Sequence, residues 1–118
     1  MNINKFTQKS MQVVQDCEKI ALEYGNQEID QEHLLYSLIT VEDSLIQKLL
    51  KKIDITTEVF QAQVEGLIKK RPKVSGGQNY ISNDLNKVLI YAEDEAKMMK
   101  DEYVSVEHLF LSMLKYPN

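Results

Sequence analysis

A stretch of this chain returns without a gap 75 residues later. Ile29-Asp30-Gln31-Glu32-His33-Leu34-Leu35-Tyr36-Ser37-Leu38 reappears as Val104-Ser105-Val106-Glu107-His108-Leu109-Phe110-Leu111-Ser112-Met113. The residues before each copy keep the same register: Val13 falls on Val88, Glu18 on Glu93 and Ala21 on Ala96. Of the 36 residues from Asn4 to Ile39, 8 are identical to the residue 75 further on, and most other apolar positions stay apolar. Such an echo constrains the fold strongly, because both copies must adopt one local structure. It implies two similar units related by a pseudo-twofold axis, and any site built by the unit is built twice.

Composition narrows the class. With 118 residues, 43% hydrophobic and 27% charged, the chain reads as one ordinary globular domain. The 14 basic and 18 acidic residues give a net charge of −4. That disfavours a nucleic-acid partner, which needs a basic face to displace counterions. No apolar run approaches the roughly 20 residues of a membrane span, so no membrane partner is expected. Met1–Phe6 lacks the apolar core of a signal peptide. The single cysteine, Cys17, excludes an internal disulfide and fits a reducing cytoplasm.

Apolar spacing predicts helices throughout. The first runs from about Thr7 to Tyr24, with Thr7 as N-cap and Val13, Val14, Cys17, Ile20 and Ala21 facing a core. Gly25-Asn26 ends it, both residues tolerating a left-handed backbone. A short helix follows Asp30, a third covers roughly 44–52, and a fourth starts near Thr56 or Thr57. This last ends at Lys69-Lys70-Arg71-Pro72, cations at the negative end of its dipole and then a proline stop. Pro72-Lys73-Val74-Ser75-Gly76-Gly77-Gln78-Asn79 is a loop and the boundary between units. Ser82 then caps a helix carrying Leu85, Val88, Leu89, Ala92, Ala96 and Met99, and Ser105 caps another. No segment alternates convincingly with period two, so the fold class is all-α. The first repeat covers about 4–71, the linker 72–80 and a partial second repeat 81–118. The second repeat holds two helices against four. An apolar patch is therefore expected to lie open near Val88, Met113 or Leu114.

These residues resemble the N-terminal domain of the Clp family of ATP-driven unfoldases. The resemblance rests on Asn4-Lys5-Phe6-Thr7, the two Glu-His-Leu copies, and the run from Asp101 to Leu109. Pro72-Lys73-Val74-Ser75-Gly76-Gly77 is similar to the linker of ClpB-type disaggregases rather than to that of ClpA- or ClpC-type unfoldases. The likeness covers nearly the whole chain but departs from the family where two further helices are expected. It implies a double repeat of four-helix units that binds unfolded or aggregated proteins and hands them to a hexameric ATPase ring. It implies a monomeric domain within a homohexameric parent that carries coiled-coil and ATPase modules, with ATP and Mg belonging to that parent. No Gly-rich phosphate loop ending in Lys-Ser/Thr occurs in the chain. No cofactor, and no enzymatic activity, is expected of the domain itself.

Candidate site residues follow from the same likeness. Thr7, Asp101 and Glu107 match positions of polar residues implicated in handling clients. Each also has a structural reading: a cap, a turn residue, and a carboxylate in a helix's first turn. Leu89, Tyr91 and His108 align with positions lining a shallow groove, although Leu89 sits on its helix's apolar stripe. Glu32 and Glu107 are a symmetric pair. At these positions ClpC-type relatives receive phosphoarginine, whose guanidinium suits bidentate pairing with a carboxylate. His33 and His108 follow glutamates but do not make the ligand set of a metal site. They read instead as neutral histidines packed at helix starts and hydrogen-bonded locally. Cys17 reads as inert core, and no nucleophile–base–orienter set is recognisable.

Overall fold

Thr7 turns the chain into its first helix. In the computed structural model, which describes residues 3–117, the Thr7 hydroxyl accepts the Ser10 N–H at 3.1 Å, and α1 follows over Gln8–Glu23. Met1, Asn2 and Asn118, the extremes of the chain, lie outside the described residues. The same device starts two more helices. Ser44 accepts the Gln47 N–H ahead of α3 (Leu45–Lys52), and Ser82 accepts the Leu85 N–H at 3.0 Å ahead of α5 (Asn83–Met98). Asp30 and Ser105 precede α2 (Gln31–Thr40) and α6 (Val106–Lys115), each closing a capping box with the histidine three residues on. Ahead of α4 (Thr57–Lys69), Thr56 makes no side-chain cap bond. Gly25 leaves α1 with φ of +72°, the left-handed conformation in which glycine carries no steric penalty.

Helices carry the architecture, as expected of an all-α domain, but two strands join them. β1 (Glu28–Ile29) pairs in parallel with β2 (Tyr80–Ile81), through Tyr80 N–H to Gln27 O and Ser82 N–H to Ile29 O, both 2.9 Å. Two-residue strands are too short for alternation to register. A second parallel bridge joins Phe6 to Val104. Phe6 lies 75 residues before Ile81, and Ile29 lies 75 before Val104, so the two pairings exchange under the shift that relates the copies. Helix packing follows the same relation. Ser37 Oγ donates to Val13 O and Ser112 Oγ donates to Val88 O, each at 2.7 Å. These bonds lock α2 onto α1 and α6 onto α5. Val13, Leu34, Leu38, Val88, Leu89 and Leu109 meet in one shared core. Cys17 lies within it, and burial raises its thiol pKa so that it stays protonated.

The copies differ where α3 and α4 pack on α2. Ile39 is fully buried there, while its counterpart Leu114 is 60% exposed. Of the residues near which an open patch was expected, Val88, Met113 or Leu114, only Leu114 is open, and Met98 and Met99 are exposed at α5's end. Val88 and Met113 are buried because both belong to the α5–α6 side of the common core.

Candidate binding groove

Each Glu-His-Leu copy is first a piece of helix-capping machinery. The Asp30 N–H donates to His33 Nδ1 at 2.9 Å, and the Ser105 N–H donates to His108 Nδ1 at 2.8 Å. A ring nitrogen that accepts from an amide carries no proton, so the proton sits on Nε2. Nε2 of His33 then donates to Asn26 Oδ1 at 2.9 Å, and that of His108 to Asp101 Oδ2 at 2.8 Å. Both nitrogens of both rings are engaged, which leaves none for a metal. Among the described residues, no three His, Cys, Asp or Glu side chains are placed to hold one. Ser105, His108 and Asp101 have the composition of a catalytic triad but not its chemistry. The lone pair that would take the hydroxyl proton already accepts the Ser105 amide. Burial, with Arg71 nearby, lowers the His33 pKa and holds that ring neutral.

The two glutamates of the repeat stand in different surroundings. Glu32 pairs with Arg71 Nη1. Arg71 Nη2 meets Glu28 Oε1 at 2.6 Å and Asp30 Oδ2 at 3.4 Å. Burial pulls the guanidinium pKa down, but the carboxylates of Glu32, Asp30 and Glu28 outweigh it and hold the pKa above its usual value. Positions 28, 30 and 32 become Tyr103, Ser105 and Glu107 in the second copy. Glu107 therefore keeps no such clamp. Its exposed carboxylate accepts the Ser105 hydroxyl, which lowers its pKa. Arg71 was legible only as a cation at a helix end. The available signal was the acidic run at 28, 30 and 32, set to converge on one partner.

The other candidates do not share one surface. His108 is 2% exposed and lines no groove among the described residues, while Leu89, 1% exposed, reaches one only as part of its floor. Leu89 points into the common core, and His108 is held between Ser105 and Asp101. Tyr91, half-buried, stacks on Tyr116 with ring centroids 4.3 Å apart. Thr7 is committed to capping, and its hydroxyl donates to Ser10 Oγ at 2.9 Å. Asp101 is exposed and keeps acceptor capacity beyond its bond to His108.

A groove opens between α1, β2 and α5. Its cavity is about 380 Å³. Met11, Val14 and Leu85 line it with Tyr80 and Ile81, Leu89 forms part of its floor, and Glu18 supplies its charge. Tyr80 is 53% exposed, unusual for an aromatic in a strand. Tyr80 and Ser82 donate to β1, so the Ile81 N–H between them faces the opposite way. The sheet has only these two strands, which leaves the outer edge of β2 unpaired by any strand among the described residues. An apolar trough beside an unpaired strand edge can take an extended chain, side chains into the trough and main chain onto the edge. A hollow of about 250 Å³ in the second copy overlaps the groove's counterpart only at Lys5, Glu93 and Val104, which stand where the groove has Tyr80, Glu18 and Ile29, and it is charged. Lys97, Asp101 and Glu102 also line it.

Fold, capping boxes and groove together define an all-α N-terminal domain of the Clp type. The family described as Clp repeat (R) N-terminal domain matches residues 5–118, and the chain belongs to it. A ClpB chaperone protein of Nitratidesulfovibrio vulgaris is 43% identical over 99% of this chain, and one of Porphyromonas gingivalis is 40% identical over 97%. The chain spans 14% and 13% of those two proteins. Among solved structures, the Hsp104 N-terminal domain from Candida albicans is similar with a TM-score of 0.86 at 21% identity, covering 95% of this chain and 75% of that one. A ClpV N-domain in complex with a VipB peptide is similar with a TM-score of 0.79 at 19% identity, covering 98% of this chain and 74% of that one.

Proposed function

We propose that this domain is the client-binding N-terminal domain of a ClpB-type disaggregase. It takes extended apolar segments of unfolded or aggregated protein and delivers them to a hexameric ring that uses ATP and Mg. The observation that carries this reading is the groove between α1, β2 and α5, with its open strand edge at Ile81. The similarity to ClpB chaperones supports it, as does a peptide complex formed by a ClpV N-domain of like fold. Affinity is modest, because a flexible client loses conformational freedom on binding. Asp101, Glu107, Thr7 and Tyr91 then act outside the groove, Asp101 in the charged hollow with Lys5 and Glu93. The tag-reading alternative, a ClpC-type domain taking phosphoarginine at Glu32 and Glu107, is disfavoured at the first position. Arg71 already fills the place a foreign guanidinium would need.

Anisotropy of a fluorescently labelled, permanently unfolded protein tests the proposal. Ile81→Asp, at an exposed position, is expected to weaken binding about tenfold or more while leaving the helical circular dichroism unchanged. Equal binding by Ile81→Asp and the parent chain would reject the groove. Heat from free phosphoarginine, abolished by Glu107→Ala, would favour the tag-reading alternative.

A further inference from the structure

α3 is apolar on more of its circumference than the fold uses. Ile46 and Leu50 face the core and are buried. One residue step (100°) round the helix, Leu45 and Leu49 form a second apolar row, and Leu49 is 39% exposed. Ile53 at the helix end is 63% exposed, with Ile55 and Val59 exposed beyond it. The row borders a shallow concavity of about 520 Å³ lined by Leu45, Leu49, Lys48, Lys51 and Lys52. The helix carries those three lysines and no acid, in a chain whose net charge is −4. Lys48 meets Asp43 at 2.9 Å on the open surface, a pairing worth little in water. Lys51 and Lys52 enter no ion pair among the described residues. Asp43 and Glu58 lie on the other flank of the helix, with Lys48 and Lys51 between them and the apolar row.

We infer that this face docks an amphipathic helix of a partner protein whose apolar stripe is bordered by Asp and Glu. The apolar row matches one helix stripe, as in helix-in-groove recognition. The lysine row supplies charge complementarity, which sets orientation and excludes basic competitors. This surface lies on α3, apart from the α1–β2–α5 groove, and rests on no property of that groove.

Two synthetic helix-forming peptides test the inference, both with a leucine stripe, one flanked by glutamate and one by lysine. Amide shifts of the isotope-labelled 118-residue chain locate binding. The glutamate-flanked peptide is expected to shift residues 45–53 and not Met11 or Ile81. Charge reversal by Lys51→Glu with Lys52→Glu is expected to weaken it about tenfold and turn preference to the lysine-flanked peptide. These exposed positions leave folding intact. Absence of shifts in α3 at millimolar peptide, equal binding of both peptides, or no effect of the reversal overturns it. So does preferential binding of anionic phosphatidylserine vesicles through α3, or concentration-dependent pairing of two copies through this face.

Discussion

Lys100 leaves α5 with φ of +59°, where Gly25 leaves α1 with +72°. The copies share the turn but not the residue suited to it. A side chain in the left-handed region is strained by about 1–2 kcal/mol, partly offset because glycine loses more freedom on folding. Lys100→Gly is therefore expected to stabilise the chain by about 0.5–1 kcal/mol in urea unfolding. Histidine gives the second residue-scale prediction. His33 is buried with its pKa lowered, so the unfolded chain binds its proton more readily than the folded one. Stability is full above the unfolded value near 6.5 and falls as pH drops through it toward the lower folded value. Urea midpoints measured across that window should decline toward acid, and His33→Gln should flatten the decline.

At the scale of elements, the helices were legible because their signals are local. Thr7, Ser44, Ser82, Asp30 and Ser105 sit where the chain turns into helix, and each is the cap its type suggests. The two histidines, too, are the locally bonded helix-start residues that their position implied. The groove was legible only at Leu89. Its wall is β2, two residues whose strand character exists only through pairing with Glu28–Ile29. Arg71 escaped notice for the same reason, since its partners lie 39 to 43 residues away. His108 shows the converse: its type suits a groove, but the capping box holds it. Leu89 belongs to the core and also reaches the groove floor. The copies also allow a controlled comparison of elements. Ile39 lies beneath α3 and α4, whereas Leu114 at the same helical position is open. Ile39→Ala is expected to destabilise by about 2–4 kcal/mol and Leu114→Ala by no more than about 0.5 kcal/mol, both read from denaturant unfolding.

Across the whole molecule the 75-residue relation accounts for the scaffold and its divergence for the surface. Paired strands, serine locks and histidine boxes recur in both copies. The surfaces beside them do not. The first pairing borders an apolar trough edged by Tyr80 and Ile81, whereas Lys5 replaces Tyr80 in the second, beside a charged hollow. Duplication thus fixed the frame, and binding character rests on residues that differ between copies. The most direct test is an amide-shift map of the isotope-labelled chain titrated with an unfolded protein. Saturable shifts at Met11, Val14, Tyr80 and Ile81, lost in Ile81→Asp, are the result predicted. Shifts confined to Asp101, Glu107 and Tyr91, with the groove silent at saturation, would contradict it.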